Sequence, residues 1–182
     1  MMMKKPWVAV IIGSKGDKEK IENSKLREIF SWRRVNHQES VFSAHRHQPA
    51  LRKYCEKILN QGVSLIIAGA GKAAHLPGAI AAITNYSVPV LGVAISSSAH
   101  PNAEDAALSI YRMPAGCPVA LIGIGSDGFT NAAMVACQII GGKDDIASQL
   151  ILERLAKYRE THTDAPEEEY YPNKDKEATD GS

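Results

Sequence analysis

Cysteine is scarce in this chain, and the three it has, Cys55, Cys117 and Cys137, stand far apart with no C-x-x-C pair. That spacing argues against a disulfide framework and a zinc ribbon, and leaves small core residues in a reducing compartment. An excess of one charge is lacking as well, since 21 basic residues face 20 acidic ones. A chain with so little net field has no footprint for nucleic acid or an anionic membrane, so any anion it binds is held by local groups. Long apolar runs are missing too. The opening "MMMKKPWVAVIIGSKGD" joins a basic end to an apolar run, but the run ends at Gly13 and meets no small-residue cleavage site. It reads as a buried strand and not as a signal peptide. Nothing approaches the ~20 apolar residues of a membrane span, which points to a soluble cytoplasmic protein. No internal repeat is found, nor any cluster of His, Cys, Asp and Glu with metal-ligand spacing.

What the sequence has is apolar runs of strand length: "WVAVIIG" (7–13), "VSLIIAG" (63–69), "PVLGVAI" (89–95) and "PVALIGIG" (118–125). A weaker alternating run, "VNHQESVF" (35–42), lies between the first two. Helical patterns fall between the strands. The clearest places Leu51, Tyr54, Cys55, Ile58 and Leu59 at i, i+3, i+4, i+7, i+8, with Pro49 set to open the helix. Continuous apolar strands alternating with helices predict a parallel sheet covered on both faces, a three-layer α/β fold. The segment "GFTNAAMVACQII" (128–140) is small and apolar nearly all round, which predicts a helix buried on several sides. A further helix over about 143–160 carries Ile146, Leu150, Ile151, Leu155 and Tyr158, more apolar surface than one small domain uses, and other subunits would cover it. The 182 residues thus divide into one domain over 1–160 and, from Thr161, a polar tail expected to be flexible.

In a doubly wound sheet of order 2-1-3-4-5, ligands sit outside the carboxyl ends of the strands, where the strand order reverses. Three loops are thereby candidates for one pocket: "GSKGD" (13–17), "SAHR" (43–46) and "GAGKAAH" (69–75). The first offers the Ser14 hydroxyl and the Asp17 carboxylate, which either accepts hydrogen bonds from sugar hydroxyls or caps the following helix. The second offers Ser43 and Arg46, a hydroxyl and a forked guanidinium suited to a phosphate monoester. With them come His45 and His47. His45 is the candidate general acid–base, because imidazole exchanges its proton near neutral pH. The third loop nearly matches G-x-G-x-x-[GA], but it follows the third strand and lacks the acidic residue ~20 positions on that a dinucleotide site uses. Nor is it a P-loop, since Lys72 is followed by Ala73. Its glycines are read as allowing close backbone approach to a small flat ligand, with His75 and Leu76 entering the next helix.

Taken in order, "GSKGD", "SAHR", "AGAGKAAHLPGAIAAIT", "PVLGV", "DAALSIYRMPAGCPVALIGIG" and "TNAAMVACQI" resemble the class I N5-carboxyaminoimidazole ribonucleotide mutases of bacterial purine biosynthesis, over about residues 6–141. The pair "SAHR" and "AAHLPG" is the specific part. The resemblance implies a flavodoxin-like fold, a homo-octamer, a small nucleotide substrate, and no metal or cofactor. Carried over position by position, it makes Ser14, Asp17 and Arg46 substrate-binding and sets Ser43 beside the phosphate. It makes His45 the proton-transfer residue, lines the imidazole pocket with Ala70, Gly71, His75 and Leu76, and matches Met113 of "RMP" to a methionine of the family.

The implied reaction moves a carboxylate from an exocyclic nitrogen to ring carbon C4 by decarboxylation and recarboxylation. Against the family pattern, Gly16 stands for a serine and Lys72 for a glycine, Ala94 replaces a proline, and the loops after Arg46 and Ile95 are each about one residue longer. Lys72 either faces solvent or a subunit, or approaches the phosphate or carboxylate of the ligand. Three alternatives stay open: a diverged relative acting on another carboxylated nucleotide, a direct aminoimidazole ribonucleotide carboxylase, and a non-catalytic module that binds a phosphoribosyl ligand.

Overall fold

The computed structural model describes residues 6–141 together with Gln149, Glu153, Ala156 and Lys157, which are helical and exposed. The expected helix residues Ile146, Leu150, Ile151, Leu155 and Tyr158, and the tail from Thr161, lie outside the described residues.

Five strands form one parallel sheet of order β2-β1-β3-β4-β5: β1 (Trp7–Ile12), β2 (Asn36–Val41), β3 (Leu65–Gly71), β4 (Val90–Ile95) and β5 (Ala120–Ile124). Because successive side chains point to opposite faces, each central strand feeds two cores. Val8, Val10 and Ile12 of β1, Leu65 and Ile67 of β3, and Leu91, Val93 and Ile95 of β4 meet α1 (Lys18–Glu22), α2 (Leu26–Arg33) and α6 (Gly125–Gly141). Ala9, Ile11, Ile66, Ala68, Val90 and Ala94 meet α3 (Gln48–Asn60), α4 (Leu76–Ile83) and α5 (Glu104–Tyr111) on the other face. Burial on both faces is why these strands read as unbroken apolar runs. β2 is an edge strand with no fully buried residue, which accounts for its weaker, alternating pattern.

Pro49 sits in the first turn of α3, and Leu51, Cys55 and Ile58 are its buried stripe. The expected burial of α6 on several sides is not met within the chain. The helix is longer than expected and buries one face, through Phe129, Ala132, Ala133, Ala136, Cys137 and Ile140, while Ile139 stays exposed. One helix can press only one stripe on a sheet. Cys55 and Cys137 are core residues, and burial pushes their thiols up to about 11 and about 12. Cys117 departs from that reading: it is half-buried after α5 and accepts a hydrogen bond from the Tyr86 hydroxyl at 2.9 Å. Among the described residues no helix is long and apolar enough to cross a membrane.

Candidate active site

β1 has β2 on one side and β3 on the other, and the chain leaves β1 for one face of the sheet and β3 for the other, so the loops after these strands diverge and open a cleft at their carboxyl ends. The cleft holds about 470 Å³ and is lined by all three expected loops, with Ser96 and Ser97 from the loop after β4.

The loop after β1 is pinned by the Gly13 N–H, which donates to the Gly69 carbonyl at 3.0 Å, and by the Ser14 N–H, which donates to the Asp17 carboxylate at 2.9 Å. Asp17 therefore both shapes the loop and lines the cleft. Burial raises the pKa of its carboxyl above the ordinary value, while the hydrogen bonds from Ser14 pull it the other way.

The loop after β2 is a closed turn. Ser43 is buried, and its Oγ accepts the Arg46 N–H at 3.3 Å. A hydroxyl that accepts from the backbone keeps its own proton to donate to an anion. His47 closes the turn by taking the Ser43 N–H on Nδ1 at 3.2 Å and donating its own N–H to the Ser43 carbonyl at 2.9 Å. That is a positioning part the sequence left unassigned. His45 and Arg46 are left exposed in the cleft.

The loop after β3 contributes Ala70, Gly71, Lys72, Ala73 and the buried Leu76. His75 opens α4 and is not part of the cleft wall, yet its Nδ1 lies 2.8 Å from His45 Nε2, with the rings edge to face at 70°. Such a contact holds one proton between two nitrogens, one ring donating and the other accepting. The glycines here have an internal reason beside the one expected from sequence. A Cβ on Gly69 would stand 2.5 Å from Phe129 Cζ, and one on Gly71 would stand 2.7 Å from the Ile95 carbonyl oxygen. Close approach is thus to the protein's own β4 and α6, and Gly71 also lines the cleft.

Of the residues singled out from sequence, Ser14, Asp17, Ser43, His45, Arg46, Ala70, Gly71, Lys72 and Leu76 meet around this one cleft. Met113 does not. It lies in the turn after α5, and its Sδ and Cε would each be 3.1 Å from a Cβ on Gly78 of α4, outside this chain's cleft. Sequence reasoning passed over Ser96 and Ser97, though the rule that picked the other loops, a polar turn at the end of an apolar strand, applies to them equally. Among the described residues no three His, Cys, Asp or Glu side chains cluster so as to hold a metal ion.

Fold and cleft together define a doubly wound α/β protein that can hold a small anion beside an exchangeable proton. Residues 7–165 match the AIR carboxylase family, and the chain belongs to it. It is similar to the N5-carboxyaminoimidazole ribonucleotide mutase of Pyrococcus abyssi, 44% identical over 85% of this chain and 83% of that one. The mutase of Bacillus subtilis is 39% identical over 86% and 93% of the two chains, and that of Escherichia coli K12 is 43% identical over 86% and 88%. Among solved structures, Treponema denticola PurE superposes with a TM-score of 0.69 at 21% identity, over 86% of this chain and 90% of that chain, a likeness of fold.

Proposed function

We propose that the chain is an N5-carboxyaminoimidazole ribonucleotide mutase, an isomerase of purine biosynthesis, with His45 as its general acid and base. The observation that carries this is the 2.8 Å bond of His45 to His75 beside Ser43 and Arg46 at one cleft, in a chain about 40% identical to mutases over most of its length. Arg46 and the Ser43 hydroxyl hold the 5′-phosphate, Asp17 and Ser14 take the ribose hydroxyls, and Ala70, Gly71 and Leu76 face the flat imidazole. His45 gives a proton to the exocyclic nitrogen, the N–C bond of the carbamate breaks, and CO2 and the aminoimidazole are left in the cleft. Ring carbon C4 then attacks CO2, and His45 takes back the proton that C4 loses. One proton enters and one leaves, so no outside acid or base is consumed. His75 keeps the His45 ring turned toward the site between the two transfers. Shielding from water matters because CO2 that escapes is lost to the second step.

The same reading makes the working form a cytoplasmic homo-octamer. The deciding experiment follows ultraviolet absorbance with N5-carboxyaminoimidazole ribonucleotide as substrate, beside a carboxylase assay with aminoimidazole ribonucleotide and bicarbonate. Turnover in the first assay at low bicarbonate is expected. Turnover in the second alone would make the chain a direct carboxylase, and binding without turnover in either would make it a non-catalytic module.

A further inference from the structure

Among the described residues five non-glycines have a left-handed backbone, and of these Lys72, at φ 56°, is the one that lines the cleft. Glycine takes that conformation without penalty and a lysine does not, so the position holds a cation against local preference. Lys72 is exposed and makes no hydrogen bond or ion pair with any described residue. The cleft's other cation is Arg46, whose guanidinium is likewise unpaired. The two stand on opposite flanks. Arg46 follows β2 and Lys72 follows β3, with β1 between these strands, and two strand spacings amount to about 10 Å. That is roughly the reach of a nucleotide from its 5′-phosphate to the far edge of its base. The exchangeable proton of the His45–His75 pair is held partly by the Lys72 loop, since His75 follows three residues later.

We propose that Lys72 is a specificity residue that reads the carboxylate of the bound nucleotide, while Arg46 takes its phosphate; the assignment rests on the mutase reading above. An ammonium on a flexible stem suits a carboxylate that changes its point of attachment, because it follows the charge without demanding one fixed plane. It also makes the site prefer the carboxylated nucleotides, which carry one more negative charge, over the decarboxylated one.

The test is calorimetric titration of the full chain with two probes, aminoimidazole ribonucleotide and its stable C4-carboxylated derivative. Lys72→Met keeps the length of the side chain and removes its charge. It is expected to weaken the carboxylated probe about five- to tenfold and to leave the decarboxylated one within twofold, which also shows that the variant is folded. Lys72→Arg should restore most of the lost affinity, and Arg46→Ala should weaken both probes alike. Equal weakening of both probes by Lys72→Met, or no weakening of either, overturns the role of Lys72 while leaving the mutase reading intact. Failure of the unmodified chain to bind either probe overturns that reading and this role with it.

Discussion

His45 and His75 hold one proton between two nitrogens, and a substitution at either changes what the site can do with it. His45→Asn keeps a hydrogen-bonding side chain of smaller size but cannot carry a proton in the neutral range. A proton-transfer group is typically worth ~10²–10⁴ in rate and less in ground-state binding. The variant should therefore lose nearly all turnover while binding product within about tenfold, as read by calorimetry and the ultraviolet assay. Full activity would take His45 out of the mechanism. Arg46 answers to a different measurement. A charge-assisted bond to phosphate is worth about 1.5–3 kcal/mol, so Arg46→Ala should raise the dissociation constant about ten- to a hundredfold. Unchanged affinity would place the phosphate elsewhere.

At the scale of elements, α2 is tied to the sheet edge by one fork-on-fork ion pair. Arg27 Nε and Nη2 donate to the two oxygens of Glu39 on β2 at 2.7 and 2.8 Å. The bond to Arg27 holds the Glu39 carboxyl below its ordinary value. A carboxyl whose folded pKa is depressed adds stability above its unfolded pKa and loses it as pH falls through the folded one. Arg27 is half exposed, so the pair is worth ~0.5–1 kcal/mol at most. Arg27→Met should lower the melting temperature slightly at pH 7, and the gap from the unmodified chain should close as the pH falls through and below the ordinary carboxylate range. A gap that persists in acid would assign the loss to packing. The core is less forgiving. Gly69→Ala would drive a methyl into the fully buried Phe129, and overpacking of this kind costs about 1–3 kcal/mol, readable as a lower urea midpoint.

These elements also show what could be read in advance. β1, β3 and β4 are legible because burial on both faces leaves them uninterrupted by polar residues. The start of α6 is not, because Gly125, at φ 59°, turns the chain straight from β5 into the helix, and "GSDG" resembles a loop. The cleft was legible from one rule about strand ends together with residue chemistry. The His45–His75 bond was not, since a distance between two loops depends on how each turn is closed, here by His47 and Ser43. Nor was the place of Met113 against Gly78 of α4, because a short motif carries no information about which side of a helix it packs on.

For the whole molecule, the apolar residues left outside the core fall on both helical layers. Leu108 and Tyr111 are 44% and 74% exposed on α5, three residues apart and so on one face. Trp32 and Ile139 are 44% and 41% exposed on α2 and α6, the opposite layer. If the octamer proposed above is built from two-fold contacts, it needs at least two different ones, because a single two-fold contact stops at a dimer. Exposed apolar side chains on opposite layers fit that requirement, with Tyr86 and Ile124 exposed as well. If each patch is one contact, a charge on either should arrest assembly at a smaller closed form and not unfold the subunit, since these side chains lie outside the core. Leu108→Asp and Ile139→Asp should thus each lower the mass measured by light scattering, to different end points, with the circular dichroism of the folded chain retained. Combining them should give monomer or dimer. An octamer that survives both substitutions would show that neither patch is a subunit contact and that the assembly is built on other surfaces.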